Sequence, residues 1–497
     1  MRPLKAVPVG TAYPPPRSEV SMYKIRQLVA AVLFLATGIF EALKSAKDFG
    51  ELEDKVRALS QRVACMLLEM ALVDIDDRLM RERDKGLEVV VGRPRRIVTT
   101  FGELTVRRRL YRRKGTGEPV FLLDEALGLE KGKRLSPRMR ELAVELGTEM
   151  TFRRAAKVLS RIVPGISAMG VWDEVKAAGE RAAGEAEAVC SAVFERGVVP
   201  EGGKVIERLY VEADGVVIAQ QRSDKRNDEV KIVVGYEGKD GKPRRLVNRK
   251  TVAGRVDAER IWEEASAYFA GEWDLSEVRE VRVGGDGAEW VKGGLEVFPR
   301  ASYHLDRYHL RRKLTEGLSF DVESYEEVVK GIAEMDLGVT LAGLDKAMRK
   351  ARGAARKRVS ELRRYILENW DGIRLLPEDE RLGTIEGQVR HTICRRMKRI
   401  NARWSPAGTD RMARLLAAGA NDELGRYASA RSDARFEQLV KVLDKEAVDL
   451  GDQIGAEDLE AWVRRTMPAL TGPYASRPWV KYILRTLTSI RPETLTA

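Results

Sequence analysis

Two short acidic segments, Tyr210-Val-Glu-Ala-Asp-Gly215 and Val283-Gly-Gly-Asp-Gly-Ala-Glu-Trp290, decide the expected fold of this chain. Each contains an Asp that follows a run of β-type residues and directly precedes a Gly. A glycine lets the backbone turn sharply where a strand ends. Because open sheets present their polar side chains at strand ends, we expect Asp214 and Asp286 to lie at one edge of an α/β sheet.

The surrounding residues predict the rest of that sheet. The expected order is three strands, a helix, and two strands with a helix between them. The predicted strands are Arg208–Val211, Glu229–Gly235, Arg244–Asn248, Val278–Val283 and Ala301–Leu305, and the predicted helix between the third and fourth strands is Asp257–Phe269.

A third acid, Glu386, lies far along the chain in Thr384-Ile-Glu-Gly387. Hard divalent cations prefer oxygen ligands, and two such ions about 4 Å apart can hold the attacking and leaving oxygens of a phosphodiester displacement. Asp214, Asp286 and Glu386 could supply those oxygens. The three histidines of the chain fall in the same stretch: His304, His309 and His391.

Two further acids compete for these roles. Glu212 lies two residues before Asp214 and therefore on the same strand face. Glu289 is expected one helical turn beyond Asp286. Either could replace one of the three chosen ligands. His304 and His391 are better explained by packing or phosphate contacts, because a Mg²⁺ site prefers oxygen.

In these motifs the sequence resembles the DDE transposases of bacterial insertion sequences, most closely the ISLre-type group related to Mutator-like transposases. The resemblance spans roughly residues 45 to 420. The pieces that carry it occur in a fixed order: the hairpin Thr99–Tyr111, the loop Leu122-Leu-Asp-Glu125, the two acidic segments, Asp306-Arg-Tyr-His309, Gly383-Thr-Ile-Glu-Gly387 and Arg403-Trp-Ser405.

The resemblance implies a ribonuclease-H-like core with an all-helical insertion before the Glu, preceded by helical and β-hairpin DNA-binding regions. It also implies that Asp214, Asp286 and Glu386 bind two Mg²⁺ ions, for which Mn²⁺ should substitute. Asp306 and His309 would form an accessory pair. The implied partner is double-stranded DNA, both element ends and target, and the implied assembly is a homo-oligomer, at least a dimer on DNA.

Composition agrees with a polyanionic partner. The 497 residues carry 88 Lys plus Arg against 76 Asp plus Glu, a net charge of +12 and a pI near 9.4. The three cysteines show no CxxC pairing, which argues against a disulfide framework or a zinc knuckle and fits a reducing cytoplasm.

The sequence divides into eight expected regions. They are an N-terminal extension (1–46), an amphipathic helix (47–92), a basic β-hairpin (93–132), a helix-turn-helix-like domain (133–200), the first part of the core (201–310), the helical insertion (311–382), the Glu-bearing part of the core (383–420) and a C-terminal helical region (421–497).

The first two regions are expected to be helical for most of their length. Leu28–Phe40 is largely apolar, but its thirteen residues are too few for a membrane span of about 20, so we expect a buried or partner-facing helix and no membrane. The tract Tyr13–Pro16 is expected to be disordered. From Leu52 an apolar seam repeats at heptad spacing, which fits either packing within the domain or self-association. Its members are Val56, Leu59, Val63, Met66, Met70 and Val73.

Several basic stretches are candidates for DNA contact. The hairpin is predicted to have strands at Thr99–Phe101 and Leu104–Val106, and nine basic residues lie between Arg93 and Lys114. Helix starts at Ser136, Thr151 and Ser167 resemble a helix-turn-helix, with Ser167–Lys176 as the candidate recognition helix. A charged surface can also be only a solvated one. The proposed contacts are Arg107, Arg108, Arg109, Arg153, Arg154, Arg395, Arg396 and Lys398.

The functional hypothesis is a DNA transposase that cleaves at insertion-sequence ends and transfers the strand into target DNA with the help of metal ions. The alternatives are a metal-dependent nuclease or resolvase of the same fold, and a DNA-binding regulator left by a decayed element.

Overall fold

A computed structural model describes residues 17–428, except 201–202, 242–244, 375, 377–379 and 400–401, together with residue 476. The chain forms two compact units. The first comprises residues 1–139, 159–165 and 430–497, and the second comprises residues 140–158 and 166–429. The predictions for Tyr13–Pro16 and for nearly all of 421–497 lie outside the described residues. Within the described part of the chain, no helix is long and apolar enough to cross a membrane.

The first unit begins with two long helices, α1 (Arg17–Ser45) and α2 (Phe49–Glu82), that pack against each other. Gly38 of α1 lies directly on the side chain of Leu59, a member of the predicted seam. Farther along α2, Leu72 and Ile75 are buried in the core of the unit, whereas Val73 is 44% exposed. At its end the predicted seam does not pack within the unit, because α2 there lies on a β-sheet and turns a different face inward; self-association through the seam stays a prediction.

That sheet has three antiparallel strands, β1 (Leu87–Val98), β2 (Glu103–Arg113) and β3 (Pro119–Val120), followed by the short helix α3 (Leu122–Ala126). The predicted hairpin is confirmed, but Thr99–Phe101 is its turn and not a strand. The Thr99 hydroxyl donates to the Gly102 carbonyl (3.0 Å) and accepts from the Phe101 N–H (3.2 Å), which closes the turn.

Three helices begin where their capping residues predict. They are α4 (Pro137–Glu149), α5 (Phe152–Ile162) and α6 (Ala168–Cys190), which continues as a π-helical turn, Ser191–Glu195. The Ser167 hydroxyl accepts from the Gly170 N–H and so caps α6. With 23 residues, α6 is much longer than the predicted recognition segment. It belongs to the second unit and packs on later helices of that same unit.

The second unit is a mixed α/β structure built on a five-stranded sheet. The sheet strands are β4 (Arg208–Ala219), β5 (Asn227–Tyr236), β8 (Lys250–Gly254), β9 (Glu280–Gly285) and β10 (Ala301–Leu305), in the spatial order β10-β9-β4-β5-β8. β4, β5 and β8 are antiparallel neighbours, while β9 pairs parallel with both β4 and β10.

One predicted strand is displaced. The segment predicted at Arg244–Asn248 forms β7 (Arg245–Val247), which pairs only with β6 (Gly238–Asp240) in a separate two-stranded ribbon. The third strand of the main sheet is β8, whose alternation of buried and half-buried residues is too short to stand out in the sequence.

Helix α7 (Ala258–Ala270), capped by Asp257, covers one face of the sheet, and its Trp262 and Phe269 are fully buried there. Between β9 and β10 lie the short helices α8 (Glu289–Lys292) and α9 (Gly294–Val297).

After β10 the chain forms the predicted helical insertion, which has a hydrophobic core of its own. Its helices are α10 (Arg307–Leu318), α11 (Val322–Ala333), α12 (Leu337–Lys350) and α13 (Gly353–Asn369), followed by a 3₁₀ turn, Trp370–Gly372. The chain then returns to the sheet through α14 (Ile385–Val389), a π-helical turn Arg390–Cys394, α15 (Arg395–Met397), α16 (Pro406–Ala420) and α17 (Leu424–Ala428).

Candidate functional site

Three aspartates lie at the same level across three adjacent strands. β4 and β9 pair with Glu212 opposite Gly284, so two residues farther on Asp214 lies beside Asp286. β10 pairs with Leu305 opposite Gly285, so Asp306 also lies beside Asp286. Neighbouring strands are about 4.8 Å apart. The fold therefore brings together three acids that are separated by 92 residues of sequence.

Asp214 differs from its prediction in one respect, because it lies inside a strand and not at its end. β4 continues to Ala219, and Asp214 pairs with Ile232 of β5. Gly215 does not turn the chain; a Cβ at this position would lie 2.1 Å from a carboxylate oxygen of Glu229 on β5. Asp214 is nevertheless at an edge, because β9 and β10 end at this level while β4 continues past them.

Asp286 does follow the end of its strand, as predicted. Its carboxylate accepts from the Ala288 N–H (2.9 Å), which holds the loop after β9. The flanking glycines fit tight spaces: a Cβ on Gly285 would lie 2.8 Å from the Ala213 carbonyl oxygen, and Gly287 has φ +95° with the ring of Tyr365 at 2.9 Å from its Cβ position. Asp286 is thereby held close to β4.

Glu386 reaches the sheet through a contact that joins residues 171 to 173 positions apart. The buried Glu212 carboxylate on β4 accepts from the backbone N–H groups of Gly383 (2.8 Å), Thr384 (2.8 Å) and Ile385 (3.1 Å). Glu386 is the next residue, and α14 packs against β4 and β5. The predicted return of the chain to the sheet at Gly383 is confirmed.

Gly383 also touches the acidic edge directly. It has φ +109°, in the region that favours glycine, and a Cβ there would lie 2.9 Å from Oδ1 of Asp306. The glycine before the Thr-Ile-Glu segment is thus required by close approach as well as by backbone conformation.

The surroundings of Asp214 disfavour its ionised form. Burial raises the pKa of Asp214 to about 6, and the negative charges of Asp286 and Glu386 add to the rise, while the Gly215 N–H and His309 oppose it. Within the described part of the chain, no Lys or Arg forms an ion pair with any of these three acids. Among the described residues, the site is therefore a cluster of like charges that no Lys or Arg neutralises.

Asp306 and His309 form the predicted accessory pair. Asp306 caps α10 by accepting from the Tyr308 N–H (3.0 Å), and its second oxygen lies 2.6 Å from Nδ1 of His309. That hydrogen bond raises the pKa of His309, and the charges of Asp214 and Asp286 raise it further. The protonated form of His309 is thereby favoured beside the acids, although burial opposes it.

Two residues near the cluster were missed by sequence reasoning. Tyr365 of α13 donates its hydroxyl to the Asp286 carbonyl oxygen (2.7 Å), so the insertion contacts the strand end. Burial raises the pKa of the Cys394 thiol, and Glu386 and Asp214 add to this, which places Cys394 near both acids. Nothing local in the sequence marks either residue.

The competing candidates are resolved differently. Glu212 is 1% exposed, and both of its oxygens are occupied by hydrogen bonds from the chain, so it is not free to bind an ion. Glu289 is exposed at the start of α8. Buried His304 lies 3.0 Å from the Ser302 hydroxyl, and burial lowers its pKa to about 4, as fits packing. His391 is exposed.

The donor set suits a hard divalent cation, since it consists of carboxylate oxygens that repel one another. Among the described residues, no group of three or more His, Cys, Asp or Glu side chains is already closed around a common point as a metal site. The chemistry of the residues fits the ion, and side-chain rotation would be needed to complete its coordination.

The proposed DNA contacts fall into two groups. Three of these arginines contact other side chains of the protein, and two of the three are buried, which leaves little of them for a DNA phosphate. Arg108 is buried against Phe121 and pairs with Asp124 (2.7 Å), and Arg396 is buried between the rings of Phe152 and Trp404. The third, Arg109, is half-buried and binds two carboxylates of α2. The exposed candidates are Arg107, Arg153, Arg154, Arg395 and Lys398.

The chain is a mixed α/β protein with a cluster of acids at one edge of its sheet. Comparison with known proteins assigns it to a family. A sequence profile of the Uncharacterised protein family (UPF0236) matches residues 43–431, so the chain belongs to that family. It is 25% identical over 383 residues to UPF0236 protein TTE2489 of Caldanaerobacter subterraneus subsp. tengcongensis, covering 76% of this chain and 79% of the relative. It is 28% identical over 407 residues to the UPF0236 protein in vanSb 3'region of Streptococcus gallolyticus, covering 78% of this chain and 86% of the relative.

A further relative in Caldanaerobacter subterraneus carries eleven locus names in one protein name, at 25% identity over 392 residues. The family thus occurs in many copies within a single genome.

Proposed function

We propose that this chain is a DDE-type DNA transposase with a ribonuclease-H-like core. The observation that carries the proposal is the convergence of Asp214, Asp286 and Asp306 on three adjacent strands, with Glu386 close enough to raise the pKa of Asp214. The order of three antiparallel strands, a helix and two parallel strands, followed by a helical insertion before the Glu, supports the same core.

The proposed chemistry is hydrolysis of a phosphodiester at the element end, followed by attack of the freed 3′-hydroxyl on target DNA. Two Mg²⁺ ions, or Mn²⁺ in their place, held by Asp214, Asp286 and Glu386 would activate the attacking oxygen and stabilise the leaving oxygen. Asp214 must be ionised for this role, which favours a pH above about 6. The Asp306–His309 pair would hold a proton beside the acids at this edge of the sheet.

The number of gene copies among the relatives supports a role in a mobile DNA element. Eleven loci under one protein name in one genome are what a self-copying element would leave. The exposed basic residues of both units, among them Arg107, Arg153 and Arg154, would bind DNA phosphates, and α2 offers a helix for self-association.

The test is to incubate the purified full chain with end-labelled element-end DNA and a target plasmid, with and without Mg²⁺. Transposase activity predicts Mg²⁺-dependent nicking at the element end and joined products. Nicking without joining would instead favour a nuclease or resolvase, and binding without cleavage would favour a DNA-binding regulator.

A further inference from the structure

The buried carboxylate of Glu212 accepts five hydrogen bonds within the second unit. Its Oε2 accepts from the N–H groups of Gly383, Thr384 and Ile385, and its Oε1 accepts from the hydroxyls of Thr384 (2.6 Å) and Tyr236 (2.6 Å). In the described part of the chain, no Lys or Arg pairs with it. A buried charge is tolerated only when it is well hydrogen-bonded, so these five donors hold the carboxylate in place and it holds them.

The contact links the two halves of the acidic site over a short path. Asp214 lies two residues after Glu212 on the same face of β4, and Glu386 lies one residue after Ile385. By the covalent chain, the same two acids are separated by β5 to β10 and the whole helical insertion. The Glu212 contact therefore acts together with the packing of α14 on β4 and β5 to hold Glu386 near Asp214.

We propose that Glu212 is a positioning residue that fixes Glu386 relative to Asp214 and thereby sets the affinity of the site for a divalent cation. This inference rests on the proposed function. Glu212 does not bind the ion; it acts through the backbone of Gly383–Ile385. This positioning role explains why an acid lies two residues before Asp214 and why Thr384 precedes the Ile-Glu pair.

The geometry predicts an order among substitutions at this position. Gln keeps the side-chain length and can turn its carbonyl oxygen to the three N–H groups. Its NH₂ group cannot accept from the hydroxyls of Thr384 and Tyr236, so Gln loses the charge and two of the five hydrogen bonds. Asp keeps the charge but is one methylene short of the backbone groups. Ala removes all five hydrogen bonds and leaves three buried or half-buried N–H groups without an acceptor.

The experiment compares the wild-type full chain with Glu212→Gln, Glu212→Asp and Glu212→Ala in two measurements that do not depend on activity. The first is amide hydrogen exchange of the peptide that covers residues 383–389. The second is Mn²⁺ affinity, measured by titration with the metal alone. We expect Glu212→Ala to speed exchange by about tenfold or more and to weaken Mn²⁺ binding by about 10- to 100-fold, the range seen when groups behind metal ligands are removed. Asp should follow Ala, and Gln should lie nearest to wild type.

The matched control is Glu264→Gln. Glu264 is also a buried acid of the same unit, but it is neutralised by Arg414 (2.7 and 2.9 Å) on the α7 side of the sheet. Its substitution should leave both the exchange of 383–389 and the Mn²⁺ affinity at wild-type values. If Glu212→Ala does not fold, Thr384→Val removes a single donor and should move both measurements in the same direction by a smaller amount.

Unchanged exchange, or faster exchange with unchanged Mn²⁺ affinity, in the Glu212 variants would overturn the positioning role. Wild-type protein that binds no Mn²⁺ would contradict the proposed function itself, and the exchange measurement would then still report whether Glu212 holds the segment.

Discussion

Beside the hairpin of the first unit, the buried acids of α2 and α3 pair with arginines of the hairpin, whereas at the acidic site of the second unit acids lie near one another. Asp124 pairs with Arg108, and Asp76 pairs with Arg109. Asp214 instead lies near Asp286 and Glu386, whose charges raise its pKa, and His309 lowers it. Both regions are rich in charge, but among the described residues no Lys or Arg pairs with Asp214, Asp286 or Glu386.

Under the proposed function, this difference distinguishes charge that stabilises the fold from charge that would bind a metal ion. A run of arginines in a sequence suggests a DNA surface, yet an arginine that already binds a carboxylate has little left for a phosphate. Acids that lie close together without a Lys or Arg raise the free energy of the folded protein. A cation bound between them would lower that free energy again.

The largest effect is expected on catalysis. Asp214→Asn and Asp286→Asn each remove one metal-binding charge with little change of volume, so Mg²⁺-dependent cleavage of element-end DNA should fall to background while DNA affinity stays near wild type. Gel assays of cleavage and binding measure both. Asp224→Asn, in the exposed turn after β4, should cleave normally. Cleavage by either site variant would remove that acid from the mechanism.

A large loss of stability is expected from a substitution of Asp by Asn in α3, beside the hairpin. Asp124→Asn leaves the buried Arg108 without its counter-charge. Removing one partner of a buried ion pair costs about 3–5 kcal/mol. Urea unfolding at pH 7 should therefore show a clear loss, and an unchanged midpoint would mean that the pair contributes nothing.

For Asp214 the expected effect on stability is opposite to that for Asp124, because ionised Asp214 destabilises the folded protein. Asp214 has a folded pKa of about 6 against 3.8 for the free group, so between these values the folded protein holds a proton that the unfolded chain has lost. Stability therefore falls as pH rises through this window, by at most about 3 kcal/mol at about 1.4 kcal/mol per pKa unit.

Asp214→Asn removes that penalty. Metal-free Asp214→Asn should be more stable than wild type above about pH 6, and the gain should vanish below about pH 4. Thermal unfolding in a chelating buffer over this range measures it. Equal stability at pH 7.5 would show that Asp214 is not crowded by charge.

The smallest effect concerns exposed arginines. If Arg153 and Arg154 each meet one phosphate, their double replacement by Ala should reduce the slope of log affinity against log salt concentration by about 2. Arg279→Ala, an exposed arginine beside Glu207, should leave the slope unchanged. Fluorescence anisotropy with labelled duplex DNA measures the slope, and an unaltered slope in the double variant would place the DNA surface elsewhere.

Local signals in the sequence were sufficient for much of the fold. The caps Ser136 and Ser167 predicted helix starts within a residue or two, because capping depends on neighbours along the chain. Asp286 before Gly287 marked a strand end correctly. Asp214 before Gly215 did not, because β4 continues through Gly215 and pairs with β5 as far as Ala219.

What the sequence could not provide are the contacts between distant residues. Whether Arg108 or Arg107 faces solvent depends on Asp124 and Phe121, and Arg396 is enclosed by aromatic rings from other elements. The role of Glu212 depends on a segment more than 170 residues away, so its position on the same strand face as Asp214 suggested only a spare ligand.

The central claim, that Asp214, Asp286 and Glu386 form one divalent-cation site, is tested most directly by anomalous diffraction from crystals of the wild-type protein grown with Mn²⁺. The account predicts an anomalous peak between the carboxylates of Asp214 and Asp286, with oxygens at about 2.1 Å as hard cations of this size prefer, and with Glu386 turned in to reach an ion. Absence of a peak beside Asp214 and Asp286 at saturating Mn²⁺ would contradict it, and a peak reached by Glu289 or Asp306 in place of Glu386 would reject Glu386 as the third ligand.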